Sequence, residues 1–294
     1  MVIFAIVMPK RKNFNKNNRK QHQQRIKAYN YRKWVVFFIL MIALVGTGMY
    51  LKQKLAFYYA LVFSKPHRTL VNSEYETKRI NSIVTEHQNK LFGIDISHYQ
   101  RKEDISWDSL SIVNGDRPIH FILLRATMGN ASQDKHFSSF WTKAKQNHYT
   151  RGAYHFYRPD ENPIQQANNF LSVAKLEQYD LIPVLDLEKI PKRKTHQQYI
   201  KDIKVWLDIV EKAYGKKPII YTYYHFYKDY LKNNLDADYP LWLANYNFVM
   251  RPSPDDHWQF WQFSEQGIVK GINTKVDLNV FNGDEDDFKL LLID

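Results

Sequence analysis

From Leu91 onward, short apolar runs alternate with segments in which apolar residues recur every three or four positions. The runs at 91–97, 120–127, 151–157, 181–188, 217–224, 240–246, 257–264 and 275–281 are rich in β-branched and aromatic residues and read as strands. Helical spacing fills most of the earlier gaps: 134–148, with Phe137, Phe140, Trp141 and Ala144 on one face; 163–175; 195–214, with Ile203, Trp206, Leu207 and Val210; and 225–233. Eight strands with intervening helices predict an α/β fold: an irregular (β/α) eight-stranded barrel of the TIM type, regular at first and short of helices in its last third. The fingerprints of nucleotide-binding sheets, Gly-x-Gly-x-x-Gly and the Walker motif, are absent.

The chain before residue 91 follows a different pattern. Residues 34–51 carry no charge, and 18 such residues rise about 27 Å as a helix, close to the thickness of a bilayer core. Ten Lys and Arg precede this run, whereas only Lys52 and Lys54 follow closely. By the positive-inside rule the expected order is a basic cytoplasmic segment (1–33), a transmembrane helix (34–51) with Trp34 and Tyr50 as interfacial aromatics, a linker or stalk (52–90) and an external barrel (91–294). Within the linker, 55–63 is apolar and either lies in the interface or continues the helix. A cleaved signal peptide is the competing reading, but the apolar run is long for one and Gly46-Thr47-Gly48-Met49 is a poor cleavage site.

Charge changes the picture once it is located. The net charge is +12, yet residues 1–73 hold 14 bases and no acid, which leaves 28 bases against 30 acids in the remainder. The basicity is therefore a matter of topology, and no nucleic-acid partner is expected. With no cysteine, neither a disulfide framework nor a thiolate metal site is available.

The candidate chemistry lies at strand ends. Leu181-Ile182-Pro183-Val184-Leu185-Asp186-Leu187-Glu188 is an apolar run closing in two carboxylates, and strand alternation puts Asp186 and Glu188 on one face. Adjacent acids at the mouth of an apolar strand have their pKa values driven apart, which suits acid/base work. The residues alone leave open a plain strand end with both acids paired to Lys189 or Lys192. In a barrel, Asp95 on strand one and Asp277 on strand eight would share that mouth, where chemistry sits in this architecture. Tyr154, Phe156, Tyr221, Trp242, Tyr246 and Trp261 crowd the same ends, and aromatic faces in a carboxylate-lined cleft suit the C–H faces of sugars. Taken singly, each aromatic also reads as barrel core.

Phe92-Gly93-Ile94-Asp95-Ile96-Ser97, Arg125-Ala126-Thr127, Gly152-Ala153-Tyr154-His155-Phe156, Pro183-Val184-Leu185-Asp186-Leu187-Glu188, Pro218-Ile219-Ile220-Tyr221-Thr222, Leu241-Trp242-Leu243-Ala244, Trp261-Gln262-Phe263 and Val276-Asp277-Leu278-Asn279 occur in that order. Together they resemble family 25 glycoside hydrolases, the lysozymes that cleave peptidoglycan. The resemblance implies an N-acetylmuramidase on a modified β/α barrel, acting on peptidoglycan glycan strands without metal or other cofactor. It implies Glu188 as general acid/base with Asp186 beside it, and Asp95 and Asp277 as the remaining active-site acids. The resemblance departs at Met128, where related sequences place an acidic or polar residue after Arg-Ala-Thr. An Asp-x-Glu of this kind also resembles chitinases, in which the Asp orients a substrate acetamido group, and this favours retention by substrate assistance. Direct attack by Asp277 or Asp95 is the other route, and a catalytically idle glycan-binding protein on the same fold is the alternative function.

Overall fold

The computed structural model describes residues 16–63, 73–112 and 116–294. The chain divides into two units, Met1–Tyr58 and Tyr59–Asp294.

The described residues of the first unit all lie in one helix, α1 (Lys16–Phe63), whose last residues belong to the second. It runs through the whole uncharged segment and on through 55–63, so that stretch continues the helix. Its Tyr31–Lys52 span is long and apolar enough to cross a membrane. Residues 1–15 of the expected cytoplasmic segment and 64–72 of the expected linker lie outside the described residues.

In the second unit, eight strands close a barrel: β1 (Phe92–Ile96), β2 (Phe121–Met128), β3 (Thr150–Phe156), β4 (Val184–Asp186), β5 (Ile219–Tyr223), β6 (Leu241–Ala244), β7 (Phe260–Gly267) and β8 (Val276–Phe281). Each of the first six pairs in parallel with the next. The last strand, β8, runs antiparallel to both β7 and β1 and so closes the ring. The reason is the length of the connection. A parallel crossover needs a dozen or more residues, and only 268–275 lie between β7 and β8. Helices α3 (Phe137–Gln146), α4 (Pro163–Val173) and α5 (His196–Tyr214) occupy the crossovers after β2, β3 and β4. Asn162 and Thr195 cap α4 and α5 by accepting from Gln165 N and Gln198 N, and Gly215 ends α5 in the left-handed conformation (φ 69°).

The barrel interior is filled from below. Phe121, Leu123, Val184, Ile219, Phe260 and Phe281 form one buried cluster with Phe288 of α6 (Glu285–Lys289), which plugs the end opposite the acids. Gly93 leaves room for this packing, because a Cβ there would lie 2.3 Å from the Phe121 ring. The C-terminal residues continue the plug, with Ile182 N donating to Leu291 O (2.9 Å) and Ile293 N to Asp180 O (2.8 Å).

Part of the segment expected as a stalk is built into this unit. Helix α2 (Ser73–Glu86) buries Ile83 and Val84 and carries a fully buried Arg79. The Arg79 guanidinium donates to both oxygens of Glu76 (2.9 and 2.6 Å), and Ser264 Oγ on β7 donates to Glu76 Oε1 (2.6 Å). The buried face of α2 thus carries an internal ion pair as well as apolar residues, and the Ser264 hydrogen bond ties it to β7.

Candidate active site

Alternation along each strand decides what faces the mouth of the barrel. On β4, Val184 joins the core and Asp186 lies one step above it; Glu188 follows just beyond the strand. On β1, Asp95 stands above Gly93, directly paired in register with Asp277. Asp277 is only the second residue of β8, yet it reaches the carboxyl end of the other strands because β8 runs the opposite way. All four acids line a single cavity of about 470 Å³. Tyr154, Phe156, Tyr221, Trp242 and Tyr246 line it too.

Trp261 does not join them. It is fully buried, donates from Nε1 to Asn245 O (3.0 Å) and packs edge-on against Trp258, Phe263 and His87. The expectation that it is a sugar platform is corrected by the register of β7, in which its neighbour Gln262 faces inward. Trp261→Ala is accordingly expected to act on stability: about 3–5 kcal/mol lost, as for a large core aromatic, with KM unchanged in protein that remains folded. Thermal denaturation beside steady-state kinetics below the transition separates the two effects.

Gln262 and Asn279 complete the acid cluster. Gln262 Nε2 and Asn279 Nδ2 both donate to Asp95 Oδ2, at 2.7 and 2.8 Å. Their amides are oriented in turn: Trp242 Nε1 donates to Asn279 Oδ1 (2.9 Å), and the Tyr221 and Tyr246 hydroxyls both donate to Gln262 Oε1, the first at 2.7 Å. This network favours an ionised Asp95 against the desolvation that raises its pKa, and a further hydrogen bond links it to Asp277. Burial, then the charge of Asp95, raises Asp277 well above the usual carboxylate range.

The strand-four pair is arranged differently. Burial, reinforced by the charges of Glu188 and Asp95, raises Asp186 well above its ordinary value. Its Oδ1 is buried without a hydrogen-bond partner among the described residues. Desolvation also pushes Glu188 up to about 7, against the opposing pull of Lys189. Neither acid is paired with Lys192, whose backbone N–H donates instead to Asp160 (2.9 Å). The site thus contains a carboxyl group poised to give up a proton near neutrality, beside a carboxyl oxygen with an unused acceptor.

The rim is completed by residues the sequence pattern did not single out. A bulge in β2 between Arg125 and Thr127 restarts the alternation, so Met128 faces the cavity and Thr127 faces out. Arg125 contacts His98 and donates from Nε to Asp134 (3.2 Å). On β7 a register shift after Gln262 brings Glu265 to the cavity while Ser264 bonds outward to α2. His155, part of the Gly-Ala-Tyr-His-Phe motif, faces away from the cavity. It lies between Thr127 Oγ1 (2.7 Å) and Gln166 Oε1 (3.2 Å), stacks on Trp206, and burial pushes it down to about 4, so it stays neutral.

Residues 94–272, more than half of the chain, match the family model described as glycosyl hydrolases family 25. An uncharacterized protein of Escherichia coli O157:H7, YegX, is 39% identical over 202 residues, covering 68% of this chain and 72% of its own. Lysozyme M1 of Streptomyces globisporus is 30% identical over 204 residues, 65% of this chain and 67% of its own. Among solved structures, a family 25 glycosyl hydrolase from Bacillus anthracis matches with a TM-score of 0.60 at 28% identity, over 69% of this chain and 94% of that one. With the barrel, its acid-lined mouth and these relatives in agreement, the chain belongs to glycoside hydrolase family 25.

Proposed function

We propose that this protein is a membrane-anchored N-acetylmuramidase that cleaves the β-1,4 bond between N-acetylmuramic acid and N-acetylglucosamine in peptidoglycan, with retention and with help from the substrate's own acetamido group. The observation that carries the reading is the strand-four pair: a Glu188 protonated near neutrality beside a buried, unpartnered Asp186 Oδ1. Glu188 donates its proton to the glycosidic oxygen as the bond to the anomeric carbon breaks. The acetamido N–H of the muramoyl residue donates to Asp186 Oδ1, which turns the acetamido oxygen toward the anomeric carbon and stabilises the oxazoline that forms. A donor at Oδ1 also favours ionised Asp186, and repulsion then keeps the pair's proton on Glu188. Water, deprotonated by Glu188, opens the oxazoline from the face the leaving group vacated, which restores the original anomeric configuration. Asp95 is less suited to direct attack, since Gln262, Asn279 and Asp277 already engage it, and burial disfavours the ionised form of Asp277 that attack would need.

Tyr154, Phe156, Tyr221, Trp242 and Tyr246 supply the apolar and hydroxyl wall that receives the sugar rings. Mass spectrometry of peptidoglycan digested by the full chain in detergent tests the assignment. Reducing-end muramic acid supports it, and reducing-end glucosamine or an undigested wall overturns it.

The anchor reading rests on α1 and on the ten bases ahead of its uncharged run. The N-terminus is expected in the cytoplasm and the barrel in the periplasm or outside the cell. Protease added to spheroplasts should remove the barrel and spare an N-terminal tag, and the reverse pattern would invert the topology.

A further inference from the structure

The carboxyl groups around the cavity are unevenly placed. Asp95, Asp277 and Glu265 come from β1, β8 and β7, and Asp186 and Glu188 from the end of β4. A ligand carboxylate brought close to an ionised member of this set, such as the amide-bonded Asp95, is repelled. The side formed by the ends of β2 and β3 and the residue after Glu188 is different. A second cavity of about 180 Å³ opens there and shares His98, Arg125 and Met128 with the first. The acid lining it, Asp134, is taken up by Arg125 and by the backbone N–H groups of His98 (2.8 Å) and His136 (3.0 Å).

Two cations on this side have no acid within ion-pair distance among the described residues. Lys135 lines the smaller cavity and is exposed. Lys189 lines the larger one, exposed, with its Nζ 5.1 Å from the centre of the Phe156 ring. By contrast Arg125 and Arg158 are occupied by Asp134 and Glu161 (3.2 and 3.1 Å). Met128 faces both cavities and brings no negative charge to the wall between them.

We infer that Lys135 and Lys189 form a carboxylate-receiving wall, which fixes the direction in which the muramoyl substituent leaves the cleft and makes the enzyme selective for strands that carry that charge. The inference rests on the muramidase reading. N-acetylmuramic acid differs from its neighbour by a lactyl ether, which ends either in a free carboxylate or in a stem peptide with carboxylates of its own. Either source meets repulsion at the acidic side and two available ammonium groups at the other. The ring over which Lys189 lies limits its freedom, so less is lost in ordering it against a ligand.

The test uses the full chain in detergent and three substrates: peptide-bearing strands, strands denuded by an amidase so that the lactyl carboxylate is free, and denuded strands whose carboxylates have been converted to amides. The readout is the ratio of kcat/KM on each charged strand to that on the neutralised one, which cancels any general effect of a substitution on Glu188. Wild type should favour charged strands. Lys135→Met and Lys189→Met should each lower that ratio by roughly two- to fivefold, the scale of a partly exposed ion pair, and Lys189→Arg should restore it. A fall confined to peptide-bearing strands places the carboxylate on the stem, and a fall on both places it on the lactyl group. Ratios that stay at the wild-type value in both Met variants overturn the wall while leaving the muramidase reading intact. Failure of wild type to release muramic acid ends from any of the three overturns both.

Discussion

Glu188→Gln is expected to lower turnover on peptidoglycan by roughly a hundredfold or more, the usual scale for losing a general acid, while leaving the fold and glycan binding in place. Glutamine keeps the shape and a hydrogen-bond donor but has no proton to transfer. The same carboxyl sets the pH profile. Desolvation holds it at about 7, so wild-type kcat/KM should fall on the alkaline side with a limb near that value, and the limb should vanish in the variant's residual activity. Activity of Glu188→Gln within a few fold of wild type, with an unchanged circular dichroism spectrum, would remove Glu188 from the mechanism.

Stability should move the other way. The folded-state pKa of Glu188 is raised, so between the unfolded value near 4.5 and about 7 the unfolded chain ionises while the folded chain retains its proton. Wild type therefore loses stability as pH rises through that window, by an amount on the order of 3–4 kcal/mol for an ideal shift of this size and less after solvent screening. Below pH 4 both states are protonated and the effect disappears. The difference in Tm between Glu188→Gln and wild type should thus be near zero at pH 4, grow to pH 7 and level off above it. A difference independent of pH would mean that the variant acts through packing alone.

Which parts of this arrangement were legible in the sequence follows from how each strand is covered. The eight strands and three crossover helices announce themselves because their apolar runs and helical periods are distinct, and the ordered motifs fix the family. Strand direction is not written in a hydropathy pattern. That β8 is antiparallel follows from the short 268–275 connection, and this places Asp277 at the mouth although it begins its strand. On β7 alternation carries no information about inside and outside. His257-Trp258-Gln259-Phe260-Trp261-Gln262-Phe263 is apolar in both registers, and α2 covers its outer face with Glu76 and Arg79. Hence Trp261 was expected in the cleft where Gln262 stands. Asn279 was within reach of the pattern, two residues past Asp277 on the same face. The bulge that turns Met128 inward, and the Ser264–Glu76 hydrogen bond that ties α2 to β7, depend on partners distant in sequence.

Asp186→Asn tests the other half of the strand-four pair. The substitution removes an ionisable group from beside Glu188 and replaces one carboxyl oxygen by an N–H donor. Rotated either way, the amide offers the substrate's acetamido N–H one acceptor at most, without the negative charge that strengthens a hydrogen bond roughly twofold. Turnover should fall by about ten- to a hundredfold, with most of the loss in kcat, because the acetamido oxygen is no longer held in line with the anomeric carbon. In the substrate complex, where the acetamido N–H favours an ionised Asp186, removing that like charge lowers the barrier to ionising Glu188, so the alkaline limb of kcat should shift to lower pH. Substrate assistance makes a further demand. Wild type should lose nearly all activity on strands whose muramoyl nitrogen is a free amine, and Asp186→Asn should lose far less on passing from acetylated to deacetylated strands, since the interaction being deleted is already broken. For the same reason the double variant with Glu188→Gln should be impaired by less than the product of the single effects. Equal sensitivity to deacetylation in wild type and Asp186→Asn would separate Asp186 from the acetamido group and return the nucleophile's part to Asp95 or Asp277.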